Sequence, residues 1–179
     1  SNIKSFSELK ITGSKSESNR VLLLQALFER LEIKNLSNSD DSQLMQKALS
    51  VEDTEHTIVD IHHAGTAMRF LTAYFATRSG KTTTLTGSSR MQERPIQILV
   101  DALNSLGACI SYTKNEGYPP LLIEGKALTK NSVVMKANVS SQYISALLLI
   151  APTLENGLTL RLEGKITSTP YINMTLSLL

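Results

Sequence analysis

The chain has no tryptophan, one cysteine and three histidines in 179 residues. Each scarcity removes a class of function. Cys109 alone cannot form an internal disulfide, and a lone thiol fits a reducing compartment, so a cytoplasmic protein is expected. His56, His62 and His63 have no thiolate partners at ligand spacing, so no metal site is expected. Four Phe and five Tyr offer few stacking platforms for bases, and a net charge of +2 is too small to argue for nucleic acid or a membrane surface. No apolar run reaches the length of a membrane span, and no secretory signal pattern is visible. No Ser-His-Asp or Cys-His set is apparent, and no pair of carboxylates is placed for acid–base work.

What is present is the composition of a globular domain, 41% hydrophobic and 19% charged, with enough apolar surface for a sizeable core. Ser1-Asn2 without an initiator Met resembles a tag remnant. Tyr171 to Leu179 reads as a helix that stops on Leu178-Leu179 with no Gly or Asn to close it, so the natural protein is expected to continue.

Three segments are apolar nearly all round: Val21–Phe28, Ala67–Ala76 and Ile144–Ile150. Small or hydroxyl residues precede each, which predicts buried helices with capped starts. Amphipathic helices are predicted over Ser42–Leu49, Pro95–Leu106 and Tyr171–Leu179, with Gly107 as a stop for the second. Strand-like runs are Glu8–Ile11, Leu31–Leu36, Thr82–Thr86, Cys109–Thr113, Leu121–Glu124, Val133–Lys136 and Leu158–Glu163. Together they form an irregular repeat of buried helix, strand, polar turn and amphipathic helix. Two packings fit. One places the helices inside and the sheets outside; the other is an ordinary two-layer α/β sandwich.

Candidate binding residues gather at helix starts. Gly13-Ser14-Lys15-Ser16-Glu17-Ser18-Asn19-Arg20 combines hydroxyls, Lys15 and Arg20 with a helix N-terminus, which suits an anion but lacks the P-loop pattern. The plainer reading is a capping run with solvated side chains. Ala64-Gly65-Thr66 lets a ligand approach the backbone at Gly65. Arg69 reads better as a structural, salt-bridged arginine. Arg90 is the better ligand candidate of its segment, with Arg94 paired to Glu93 or Asp101. Ser140-Ser141-Gln142 and Thr167-Ser168-Thr169-Pro170-Tyr171 add hydroxyls at two more helix starts, as caps or as ligands. One concave surface for a phosphorylated polyhydroxyl compound is expected.

Six motifs carry a family resemblance in the family's order. They are Gly13-Ser14-Lys15-Ser16-x-Ser18-Asn19-Arg20, Ala64 to Arg69, Leu85-Thr86-Gly87-x-x-Arg90-Met91-x-Glu93-Arg94-Pro95-Ile96, Tyr118-Pro119-Pro120-Leu121, Val139 to Tyr143, and Ser168-x-Pro170-Tyr171-Ile172. The chain resembles the 5-enolpyruvylshikimate-3-phosphate synthases. The resemblance implies a mixed α/β (α+β) lobe of βαβαββ units with helices inside outer sheets. It implies residues 14–179 as the shikimate-3-phosphate lobe and residues 1–13 as a remnant plus a strand that joins a second lobe. It implies transfer of enolpyruvyl from phosphoenolpyruvate to shikimate-3-phosphate without any cofactor. Lys15 would bridge both substrates. Ser16, Arg20, Ser140, Ser141 and Ser168 would hold shikimate-3-phosphate, with Tyr171 near. Gln142 would sit between the ligands, and Gly65 and Arg90 would face phosphoenolpyruvate. The proton acceptor is expected in the second lobe, so no catalytic residue is assigned here.

The chain departs from the family pattern at His63, where Asn is usual, at Phe70, where Pro is common, and at Thr169, where Lys is common. The stretch Ser50–Asp60 is short, so the first unit is expected to be trimmed. Two rival readings are a UDP-N-acetylglucosamine enolpyruvyl transferase, whose reactive loop Cys has no counterpart, and a non-catalytic anion-binding module.

Overall fold

The computed structural model of the chain describes residues 8–9, 11–28, 30–51 and 54–179. In chain order these form α1 (Lys15–Leu27), α2 (Asp40–Leu49), β1 (His56–Asp60), α3 (Gly65–Ala76), β2 (Thr82–Thr86), α4 (Ser89–Gln92), α5 (Gln97–Ser105), β3 (Cys109–Tyr112), β4 (Leu121–Glu124), β5 (Ser132–Lys136), α6 (Ser141–Ile150), β6 (Thr159–Glu163) and α7 (Thr169–Leu178). No helix among the described residues is long and apolar enough to cross a membrane.

The three nearly all-apolar segments become α1, α3 and α6, and these pack against one another. Leu23, Phe70, Leu71, Leu147 and Ile150 are fully buried there. A helix that is apolar on every side has nowhere else to go. One sheet, in the order β1-β2-β4-β3, covers this helical centre. Its β1–β2 pair is parallel and the other two pairs are antiparallel. The rows Val59–Leu85–Leu121 and Thr83–Ile123–Ile110 face inward and are buried. The row containing Ile58 and Ser111 faces water. Such alternation is what a sheet with one covered face requires. The helices therefore lie inside and the sheets outside, and the two-layer sandwich is excluded.

The repeat is visible in register. β1 and β2 flank α3 and pair in parallel from His56↔Thr82 to Asp60↔Thr86. β5 and β6 flank α6 and pair in parallel from Ser132↔Thr159 to Lys136↔Glu163. The middle unit continues through α5, β3 and β4 to give βαβαββ, with the four-residue α4 inserted. Each repeated turn ends in a serine N-cap: Ser39, Ser88 and Ser168. Gly107 closes α5 in the left-handed region, at φ 109°.

Three expectations change. Leu31–Leu36 is not a strand, because Asn35 sits at φ 57° and breaks the extended run. Glu8, Leu9 and Ile11 carry no strand either, and Leu9 and Ile11 are 84% and 77% exposed. Ser1-Asn2 and Lys10 lie outside the described residues. β1 was not foreseen, since its residues were read as part of a trimmed stretch.

Tyr112 on β3 yields a stability prediction. Its Oη is shielded from water and has no hydrogen-bond partner among the described residues. Burial, then Asp101 and Glu116, pushes the phenol up to about 12 from its ordinary value near 10. The unfolded chain therefore ionises first, so stability is complete below pH ~10 and falls as pH rises toward ~12. Tyr112→Phe is expected to be neutral or stabilising by about 1 kcal/mol and to flatten the alkaline loss. Thermal melts at pH 7 and pH 11 check both parts.

Candidate functional site

Four helix N-termini open into one cleft of about 250 Å³, lined by Lys15, Ser16, Arg20, Thr66, Ser141, Gln142 and Tyr171. Lys15, Ser16 and Arg20 come from the first turns of α1, Thr66 from α3, Ser141 and Gln142 from α6, and Tyr171 from α7. Helix starts carry unpaired N–H groups and partial positive charge. Three of these four starts, at α1, α3 and α7, have no side-chain cap. At α1 and α3 the first backbone donors are left for a ligand, whereas at α7 Pro170 has no N–H and the Tyr171 N–H donates to the Ser168 carbonyl at 3.1 Å. At α6 the Ser140 hydroxyl accepts from the Gln142 N–H at 3.3 Å. No carboxylate among the described residues lines the cleft. Its chemistry is that of an anion carrying hydroxyls.

Arg20 is both wall and clamp. Its side chain is 2% exposed. Nε donates to Thr175 Oγ1 at 2.7 Å, Nη1 to the Ser16 carbonyl at 2.6 Å, and Nη2 to Ser145 Oγ at 3.0 Å and the Tyr171 carbonyl at 3.2 Å. The guanidinium also lies 5.3 Å from the Phe70 ring. Four of its five donors are thus used to join α1, α6 and α7, a role its sequence position did not reveal. Burial pushes its pKa down, and Tyr171 partly offsets this. No carboxylate is among its partners, so the charge it brings to the cleft wall is uncompensated.

A second hollow of about 300 Å³ is lined by His63, Arg90, Met91 and Arg94. Within the cleft, at the start of α3, Gln142 Nε2 donates to Thr66 Oγ1 at 3.2 Å. Gly65 lies beside Thr66. Arg94 stacks over it so closely that an added Cβ would come within 2.7 Å of Nη1. Arg94 pairs with neither Glu93 nor Asp101 among the described residues. Sequence reading placed the ligand role on Arg90 alone. The missed signal was that Gly65 needs a close neighbour. Gly65→Ala is expected to fold normally, because the far end of a flexible side chain can yield. It displaces Arg94 and weakens phosphate binding in the hollow several-fold, which titration with inorganic phosphate would show.

Arg69 is structural but not salt-bridged. It is 6% exposed and donates to the Gly65 carbonyl at 3.2 Å, to Met91 Sδ at 3.7 Å and to the Pro95 carbonyl at 3.1 Å. Burial lowers its pKa. Its place is fixed by carbonyls and by the Tyr143 ring 5.9 Å away, not by an acid.

Of the ten residues singled out, six line the cleft: Lys15, Ser16, Arg20, Ser141, Gln142 and Tyr171. Arg90 belongs to the adjoining hollow, and Gly65 lies between the two. Ser140 and Ser168 are exposed N-caps of α6 and α7 and are not among the lining residues. Ser168 is left-handed, at φ 54°, and its hydroxyl makes no capping bond. Phe70 and Thr169 fill ordinary places, in the core and at the first position of α7.

The sequence model of the family described as EPSP synthase (3-phosphoshikimate 1-carboxyvinyltransferase) matches residues 50–179. The chain is 56% identical over 172 residues to the 3-phosphoshikimate 1-carboxyvinyltransferase of Bacteroides fragilis, covering 96% of this chain and 41% of that relative. It is 42% identical over 196 residues to the Colwellia psychrerythraea protein of the same name, covering 96% of this chain and 46% of that one. The chain thus spans less than half the length of these relatives. The solved EPSP synthase of Acinetobacter baumannii superposes with a TM-score of 0.70 at 19% identity, over 89% of this chain and 41% of that one. At that identity the likeness speaks for the fold, and it agrees with the inside-out packing. With the family match covering well over half of its residues, and the six motifs in order, the chain belongs to the EPSP synthase family.

Proposed function

We propose that residues 14–179 form the shikimate-3-phosphate lobe of an enzyme that moves the enolpyruvyl group of phosphoenolpyruvate to the 5-hydroxyl of shikimate-3-phosphate, releasing phosphate. The carrying observation is the cleft, free of acids among the described residues, into which four helix N-termini open, with Lys15, Arg20, four hydroxyl-bearing residues and Gln142 on its wall. Donors of this kind match the phosphate, carboxylate and hydroxyls of shikimate-3-phosphate. The adjoining cationic hollow suits phosphoenolpyruvate, and Gln142 stands between them. A cytoplasmic location is proposed for the chain, in keeping with its single thiol, Cys109.

Among the described residues neither pocket is lined by a carboxylate, which supports proton transfer by groups from a second lobe. Closure of that lobe would also exclude water. The chain by itself is expected to bind shikimate-3-phosphate weakly and to release no phosphate when given both substrates. Isothermal titration tests the first part. Lys15→Ala and Gln142→Ala should each weaken binding about tenfold, the worth of one charge-assisted contact. Lys15 is exposed, so its loss leaves the fold intact. Unchanged affinity in both variants would refute the site.

A further inference from the structure

Among the described residues, the polar side chains on the wall of the hollow beside the cleft are all basic: His63, Arg90 and Arg94. Resting on the reading above, which places a phosphorylated ligand there, we infer that His63 is the third cationic ligand of this hollow. Its affinity for a tetrahedral oxyanion therefore rises as pH falls through the histidine range.

The position of His63 is built, not incidental. His62 lies in the left-handed region at φ 50°. Its N–H donates to Asp60 Oδ1 at 2.7 Å, and its carbonyl accepts from the Ser88 N–H at 2.9 Å. The turn is thereby pinned between the end of β1 and the start of α4, which holds His63 on the wall of the hollow. The His63 ring lies 5.1 Å from the His62 ring, and no hydrogen bond to a described residue engages it. Its donors are free for a ligand.

The charged groups that share its wall are Arg90 of α4 and Arg94 of the turn that follows, with His62 and Asp60 on its own side; Glu93 precedes Arg94 in the chain, and Arg69 of α3 lies in the field of Arg94. A proton on His63 adds a third positive charge to a wall that already carries Arg90 and Arg94, and a doubly charged oxyanion in the hollow is attracted by all three. By linkage, the anion then raises proton binding at His63 as much as the proton raises anion affinity. The imidazole is the ordinary residue for such a response near neutral pH.

The probe is sulfate, which keeps its double charge across the range. Its binding to this chain is measured from pH 5.5 to pH 8 at constant ionic strength, while the His63 ring signals are followed by NMR. Sulfate is expected to bind about five- to tenfold more tightly at pH 5.5, and saturation should raise the His63 titration midpoint correspondingly. His63→Asn and His63→Gln should bind sulfate with little pH dependence, whereas His62→Asn should keep it. A pH dependence that survives in both His63 variants, or a His63 midpoint that saturating sulfate does not move, overturns the inference. Titration with shikimate-3-phosphate at pH 8 runs in parallel. If it fails while the sulfate response holds, the functional reading falls and the role of His63 stands.

Discussion

Arg20→Ala should lower the stability of the chain by about 3 kcal/mol, or about 6–12 °C in Tm for a domain of this size. Three effects combine. The guanidinium makes four hydrogen bonds across α1, α6 and α7, and bonds to a charged group are worth about 1.5–3 kcal/mol each before any offset. Truncation also leaves a cavity under Phe70. Against these, the variant regains the cost of burying a charge with no acidic partner. The orphaning is limited, because Thr175 Oγ1 still donates to Ser145 Oγ at 2.9 Å or the Tyr171 carbonyl at 2.9 Å. Arg20→Met fills the space and removes the charge, so it should cost distinctly less than Arg20→Ala. Both variants should lose shikimate-3-phosphate binding. Denaturant titration decides the matter, and a loss below about 1 kcal/mol in the alanine variant would show that Arg20 does not clamp the helices.

How much of this was legible in the residues differs by level. The buried helices were legible because Val21–Phe28, Ala67–Ala76 and Ile144–Ile150 have no polar face to expose, and a chain cannot solvate such helices. The choice between two packings was not, because periodicity says that a face is buried but not which element buries it. Leu31–Leu36 shows a second limit. Its composition suits a strand, yet a single left-handed residue, Asn35, ends the run, and such a φ is invisible in an apolar/polar pattern. β1 shows the reverse. His56–Asp60 pairs with β2 over five residues, although its outward Ile58 spoils the alternation expected of a half-buried strand.

The site was legible as a list of residue types at helix starts, and six of them do meet in one cleft. Three things were hidden. The capped start expected of each buried helix fails at α3, which has no side-chain cap, and the Thr66 hydroxyl accepts from Gln142 instead. Arg94 was assigned to a neighbouring acid, since sequence distance suggested one, whereas the fold turns it over Gly65. Arg20 looked like a pure ligand residue because Thr175 and Ser145, its partners, lie more than a hundred residues away. Long-range hydrogen bonds leave no local trace.

The same reasoning leads to a large effect at Arg69, which lines neither pocket but connects them. Its guanidinium joins the first turn of α3 to Met91 of α4 and to Pro95, whose carbonyl also accepts from Tyr143 Oη at 2.7 Å. Arg90, Met91, Arg94 and Pro95 form one short segment, so Arg69 sets where the two exposed arginines point. Arg69→Ala should cost about 2–3 kcal/mol, the loss of charge-assisted carbonyl bonds less the regained burial cost of the ion. It should also weaken sulfate binding in the hollow by about tenfold, with a smaller change in the cleft. Charge and position are separable. If Arg69 acted only through its field, Arg69→Lys would restore sulfate affinity fully, because the cation is kept. If it acts by positioning, the lysine variant, which lacks the planar fork needed for two carbonyls and a thioether at once, should recover stability in part and affinity hardly at all. Full recovery of sulfate affinity in Arg69→Lys would overturn the positioning role. Affinity that stays low while the melt improves would establish that the cationic hollow depends on the geometry of a buried arginine it never exposes.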